Sequence, residues 1–229
     1  MKLVRLLLVI GIFAGLALAV GCSADLYNPT ATEQNVQIVG DSVFDLSGDI
    51  QKVLKTLSGG KMYKDRSVSG AKIAAIQSQL NTALGRTTLK TVIADGGAND
   101  ILQGSADCDT DPLTQGCIDV LDYLGDKMDT MLDAMYTKSP DYCVWLGYYH
   151  VKGSEIEKNE AIDFAYTDIY PGIFSPYAPG SGVVYVYVDP RSIIVPADIK
   201  SDDIHPTYNG SVKLANLIWN AMVLNNMYR

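Results

Sequence analysis

The chain has 229 residues, 48% of them hydrophobic and 19% charged, which suits one globular domain with a sizeable core. Its formal net charge of −8 is offset by no basic patch, so nucleic acid is not an expected partner. Four cysteines and two histidines stand at no zinc-site spacing, and no metal or other cofactor is expected.

Lys2 and Arg5 precede an uninterrupted apolar run from Leu6 to Val20. A basic start and a run too short for a comfortable membrane span read as a secretory signal over residues 1–21. Ala19-Val20-Gly21-Cys22 resembles a bacterial lipobox, in which the cysteine is acylated and becomes the new N-terminus. Ala19 stands where leucine is usual, and cleavage after Ala17-Leu18-Ala19 by ordinary signal peptidase competes. The favoured expectation is an exported lipoprotein attached to a membrane through Cys22, with a soluble periplasmic or secreted protein as the alternative. Residues 22–35 are polar and read as a tether, leaving residues 36–229 as the folded domain.

From there apolar runs alternate with helical patterns. Val36–Val39 is a strand, followed by a helix marked by Leu46, Ile50, Val53, Leu54 and Leu57. Met62–Val68 is a poorer strand, and Ile73, Ile76, Leu80 and Leu84 mark a second helix. Thr91–Ala94 is the third strand. The helix from Ile118 to Tyr136 carries a stripe of Leu121, Leu124, Met128, Met131 and Met135, read as core packing. Tyr142–Tyr149 is the fourth strand, with a weaker helix between Glu155 and Tyr166. A Pro-, Gly- and Tyr-rich loop covers Tyr170–Gly182, Val183–Val188 is the fifth strand, and Tyr208–Asn225 is the last helix.

Strands separated by helices imply a five-stranded parallel sheet covered on both faces, a three-layer α/β/α sandwich with flavodoxin-like strand order. In open parallel sheets, ligands bind beyond the carboxyl ends of the strands. Ser42, Gly70, Asn99 and His150 each follow a strand, and His205 lies after the fifth, so all converge on one edge.

Catalysis by serine needs a base, a group orienting that base, and donors for an oxyanion. Ser42, on the Gly40-Asp41-Ser42 turn, is the candidate nucleophile, placed near amides that open the next helix. His205 in DDIHP is the candidate base. Asp202, three residues earlier, is preferred over Asp203 as its orienting acid. Asn99 in GGAND could aim its amide NH2 at the reaction centre. Gly70 offers a backbone N–H with no side chain in the way.

GDSVFD at Gly40–Asp45, Gly70, GAND at Gly97–Asp100 and DDIHP at Asp202–Pro206 together resemble, in order, the four blocks of the SGNH (GDSL-type) hydrolases. Val43 replaces the usual leucine of the first block, and the second block is short. The resemblance implies Ser42 as nucleophile, His205 as general base and Asp202 orienting it. It also implies an oxyanion hole from the Ser42 and Gly70 N–H groups and the Asn99 side chain. Implied too is an esterase or lipase acting on acyl or acetyl esters of lipid or carbohydrate through an acyl-enzyme. Transfer of the acyl group to a sugar hydroxyl, and a surface binding protein on a degenerate scaffold, are the alternatives. No Gly-x-Ser-x-Gly elbow is present.

The remaining features have plainer readings. Cys108 and Cys117 flank a polar loop and suit a local disulfide in an oxidising compartment, while Cys143 in YCVWLGYY reads as a buried thiol. Asp107, Asp109 and Asp111 begin like a calcium loop, but Pro112 replaces the required glycine and Ile118 the terminal glutamate. His150 reads as an ordinary polar residue at a strand end, with a substrate-lining place as the alternative. The loops at Gly104–Gly116 and Tyr170–Gly182 are the expected pocket walls. Tyr166, Tyr170 and Tyr177 are either a sugar-stacking platform or packing residues.

Overall fold

The computed structural model describes residues 31–138, 140–175 and 182–229. The expected leader, Cys22 and Tyr177 lie outside them. Five strands, β1 (Glu33–Val39), β2 (Tyr63–Asp65), β3 (Thr91–Ala94), β4 (Tyr142–Leu146) and β5 (Val184–Val188), form one sheet in the order β2-β1-β3-β4-β5. Every pairing is parallel. The three-layer, flavodoxin-like architecture expected from the alternation of runs is therefore the one found.

Both faces of the sheet are covered, which is why its central strands are near-continuous apolar runs. On one face lie α3 (Ile73–Leu84), α5 (Gln115–Lys138) and the segment 159–174, packed on Val39, Val92, Ala94, Cys143 and Trp145. On the other, α2 (Asp49–Leu57) and α8 (Tyr208–Leu224) close over Ile38, Ile93, Val144 and Leu146. The methionine stripe of α5 is core packing: Met128, Met131 and Met135 are all buried.

Several boundaries differ from the expected ones, each for a local reason. β1 begins at Glu33, because Thr32 and Glu33 donate backbone bonds to the carbonyl of Met62, so residues 33–35 of the expected tether belong to the sheet. The first helical pattern divides into the four-residue α1 (Ser42–Asp45) and α2, interrupted at Gly48, which sits in the left-handed region at φ 62°. The fourth strand ends at Leu146. The weak helix after it is built of a 3₁₀ turn (Gly153–Lys158), α6 (Asn159–Phe164), a π turn (Ala165–Ile169) and α7 (Tyr170–Phe174). The start of the expected Tyr170 loop is thus helical, with Pro171 in the first turn, where a missing N–H costs nothing.

Cys108 is bonded to Cys117, and Cys143 is a buried free thiol whose pKa burial pushes up. Asp109 in that loop is paired with Lys158 at 2.6 Å.

Ile93 is fully buried at the centre of the sheet. Ile93→Ala should cost about 2–5 kcal/mol through lost burial and the cavity left behind, read as a lowered urea midpoint with the circular dichroism of the folded state retained. A midpoint within error of wild type would contradict the packing described.

Candidate active site

Ser42 is the first residue of α1, immediately after the Gly40–Asp41 exit from β1. The turn is held from beneath. Asp41 caps it by accepting from the Val43 N–H at 3.0 Å, and the Asp41 N–H itself donates to Asp95 Oδ1 at 2.9 Å. A Cβ on Gly40 would fall 2.0 Å from Asp95 Oδ1, so the glycine is required by the close approach of that carboxyl. Because α1 has only four residues, its dipole contributes little, and an anion at Ser42 depends on individual donors.

His205 Nε2 lies 2.9 Å from Ser42 Oγ, and its Nδ1 lies 2.9 Å from Asp202 Oδ2. The serine and the histidine are 163 positions apart. Asp202 Oδ1 also accepts the N–H groups of Ile204, at 3.1 Å, and His205, at 2.9 Å. Desolvation pushes the Asp202 carboxyl up, but the bonds from the His205 N–H, its ring and the Ile204 N–H outweigh it and hold the pKa below the ordinary value. Asp203, the other acid of the pair, points away and accepts from the Ser154 N–H at 3.1 Å. The hydroxyl of Tyr149 donates to the Ile204 carbonyl at 2.8 Å, and the Lys200 N–H to the His205 carbonyl at 2.8 Å, which fixes the loop. Ser42, His205 and Asp202 thus lie, in turn, within hydrogen-bond distance of one another.

Asn99 and Gly70 are brought to the same edge, with a difference for the asparagine. Its NH2 donates to Asp41 Oδ2 at 3.3 Å and to the Ala71 carbonyl at 3.1 Å, while its Oδ1 accepts from Gln103 Nε2 at 2.7 Å. The amide is therefore engaged below the serine, and its long bond to Asp41 is the one an oxyanion would have to compete with. Gly70 is exposed at φ 78°, a left-handed conformation that glycine adopts without strain.

Two groups beneath the serine were not singled out from the sequence. Tyr148 donates its hydroxyl to Asp41 Oδ2 at 2.7 Å. Asp95 is 1% exposed, and its Oδ2 has no hydrogen-bond partner among the described residues. Burial, then the neighbouring Asp41, raise the Asp95 pKa well above the ordinary value; burial raises that of Asp41 too. The available signal was position: Asp95 directly follows the third strand, and Tyr148 follows the fourth.

His150 does not reach the serine. Its Nε2 lies 2.8 Å from Asp163, which also receives Arg191 at 2.6 Å, and the Arg191 guanidinium stacks 3.7 Å above the Tyr166 ring. Tyr166 and Tyr170 are buried in a cluster with Phe174 and Tyr187, and each also presents part of its side chain to the lining of the cleft beside Ser42. A cleft of about 90 Å³ opens beside Ser42 between α5 and the segment 159–174. Of the two loops expected as walls, Gly104–Gly116 contributes nothing to its lining, and among the described residues the second contributes Tyr170; residues 176–181 of that loop lie outside the described residues.

No protein-family model matches the chain, and no curated protein matches it. Solved structures do. An acetyl esterase superposes with a TM-score of 0.65 at 16% identity, covering 83% of this chain and 96% of that one. A family 3 carbohydrate esterase of Clostridium thermocellum gives 0.60 at 22% identity, covering 83% and 95%. A GDSL-like lipase of Bacteroides thetaiotaomicron gives 0.58 at 15% identity, covering 83% and 88%. At these identities the likeness is one of fold: the chain has the α/β/α fold of GDSL-type esterases and lipases.

Asp95 provides a test of the buried acid. With its folded pKa raised above the unfolded value of 3.8, its contribution to stability is full below that value and is lost as pH rises toward the folded one. Asp95→Asn keeps an Oδ1 acceptor for the Asp41 N–H and removes the titration. Its melting temperature relative to wild type should rise as the pH is raised from about 4; a difference constant with pH would show that the Asp95 carboxyl does not titrate differently in the fold.

Proposed function

We propose that the protein is a serine esterase that hydrolyses carboxylic acyl esters through an acyl-enzyme. The observation that carries this reading is the unbroken relay from Ser42 Oγ through His205 to Asp202, with both links at 2.9 Å. The shared fold of esterases and GDSL-like lipases supports it.

In the first step Ser42 Oγ bonds to the ester carbonyl carbon while His205 Nε2 takes the hydroxyl proton. Asp202 favours the imidazolium so formed and fixes the ring so that Nε2 faces the serine. The tetrahedral oxyanion is received by the N–H groups of Ser42 and Gly70 and by the Asn99 amide, which exchanges its long bond to Asp41 for one to the oxyanion. The bond to the alcohol oxygen breaks, and His205 gives that oxygen its proton. In the second step His205 takes a proton from water, whose oxygen attacks the acyl carbon, and returns it to Ser42 as the acid leaves. No step needs a cofactor.

The basic and apolar leader at Lys2–Val20 and the Cys108–Cys117 bond both suit export to an oxidising compartment, with attachment through an acylated Cys22 as the proposed form.

The purified domain should be labelled by a fluorophosphonate probe and should turn over short-chain nitrophenyl esters. Ser42→Ala should abolish both, and a wild-type protein that neither reacts nor turns over would sink the esterase in favour of a binding role. Asn99→Ala should lower kcat about a hundredfold or more, the usual worth of one oxyanion donor. Near-normal turnover in that variant, with Ser42 still essential, would remove Asn99 from the oxyanion hole.

A further inference from the structure

The cleft beside Ser42 has walls of one character. Leu121, Leu124 and Met128 of α5 form one side, and Ile162, Ala165 and Ile169 the other. The two walls meet where Ile169 lies against Gly125: a Cβ added to that glycine would fall 3.0 Å from the isoleucine side chain. The π turn Ala165–Ile169 belongs to the second wall, and such turns commonly reshape a helix where it borders a ligand.

Most of the polar side chains along the cleft are already engaged with the protein. The phenol hydroxyls of Tyr148, Tyr149 and Tyr166 donate to Asp41, to the Ile204 carbonyl and to the Tyr148 carbonyl, at 2.7, 2.8 and 2.9 Å. Lys158 reaches the lining, but its ammonium is paired with Asp109 at 2.6 Å and Glu155 at 2.9 Å. A sugar ring placed here would lose water from its hydroxyls and find these donors spent, a loss that burial of apolar surface does not return. A methylene chain would lose nothing polar.

Position settles which part of the ester enters. His205 must protonate the departing alcohol, so the alcohol leaves on the side of the loop that carries it. Ser42 and Asn99 line the cleft, and of the loop that carries the base only Ile204 touches its edge, with the His205 and Asp202 side chains outside it. The cleft therefore receives the acyl side. At about 90 Å³ the cleft offers more room than an acetyl methyl fills.

We infer that this cleft is an acyl-chain site, and that the esters taken by the enzyme carry unbranched, uncharged aliphatic acyl groups of medium length rather than acetyl groups on a sugar. The inference rests on the esterase reading for its turnover assay, but chain binding can be read without turnover. With nitrophenyl acetate, butyrate, hexanoate, octanoate and laurate, kcat/KM should rise about fourfold per added methylene, the worth of one buried CH₂, to a maximum at hexanoate or octanoate. Ile162→Trp and the milder Ala165→Met, which narrow the wall, should lower octanoate turnover at least tenfold and more than they lower acetate turnover, with unchanged circular dichroism reporting an intact fold. In Ser42→Ala, calorimetry should find octanoate binding and no acetate binding.

A flat or acetate-favouring chain-length profile, or faster turnover of acetylated xylan than of the octanoate ester, would overturn the acyl site and leave the esterase standing. Octanoate binding to Ser42→Ala that Ile162→Trp weakens, with no turnover of any ester by the wild type, would support the acyl site and fail the esterase. Absence of octanoate binding would overturn the site whatever the turnover.

Discussion

The nucleophile's side of the candidate active site is hung from the buried carboxyl of Asp41. Its oxygens accept from the Val43 N–H, the Tyr148 hydroxyl and the Asn99 amide, which come from the turn after β1, the connection after β4 and the helix after β3. A buried carboxyl is tolerable only when such donors satisfy it, so its burial forces three separate connections to meet at one point. Asp95 adds a fourth tie through the Asp41 N–H, and its own acid form avoids setting two bare charges side by side in the interior.

The base is fixed differently, by a loop that ties itself down. Asp202 takes two backbone N–H groups and one ring nitrogen from the following three residues, so a single carboxylate shapes the loop and aims the imidazole together. Asp203 and Tyr149 anchor that loop to the connection after β4. The nucleophile and the base thus sit on separately rigid supports, and the 2.9 Å between them is set by how the sheet brings β1 and the end of the chain together.

Beside this polar knot lies its opposite, a cleft with apolar walls. The stripe of α5 serves two purposes: Met131 and Met135 seal the sheet, while Leu121, Leu124 and Met128 also border the open space near Ser42. The second wall is held by the Asp163–Arg191–His150 cluster and by Arg191 stacked on Tyr166, an arrangement that gives His150 a structural place away from the reacting atoms.

By itself the sequence determined the strand and helix alternation, the parallel sheet it implies, and the positions of Ser42, Asn99, Asp202 and His205, because period, turn residues and short-range spacing are local properties of a chain. Asp202 could be chosen over Asp203 for the same reason: three residues are enough to fold a carboxylate back onto the following ring. What only the tertiary structure decided depends on groups far apart in sequence. Asp95 and Tyr148 look like ordinary residues at strand ends until Asp41 is buried between them. The Gly104–Gly116 loop looks like a pocket wall because loops surround most sites, yet it lines nothing of the cleft, and the apolar sides given by α5 and residues 159–174 emerge only from their packing. That Asn99 spends its amide on Asp41 and Ala71 is likewise invisible in a four-residue motif, since hydrogen-bond partners are set by the fold and not by the neighbours in the chain.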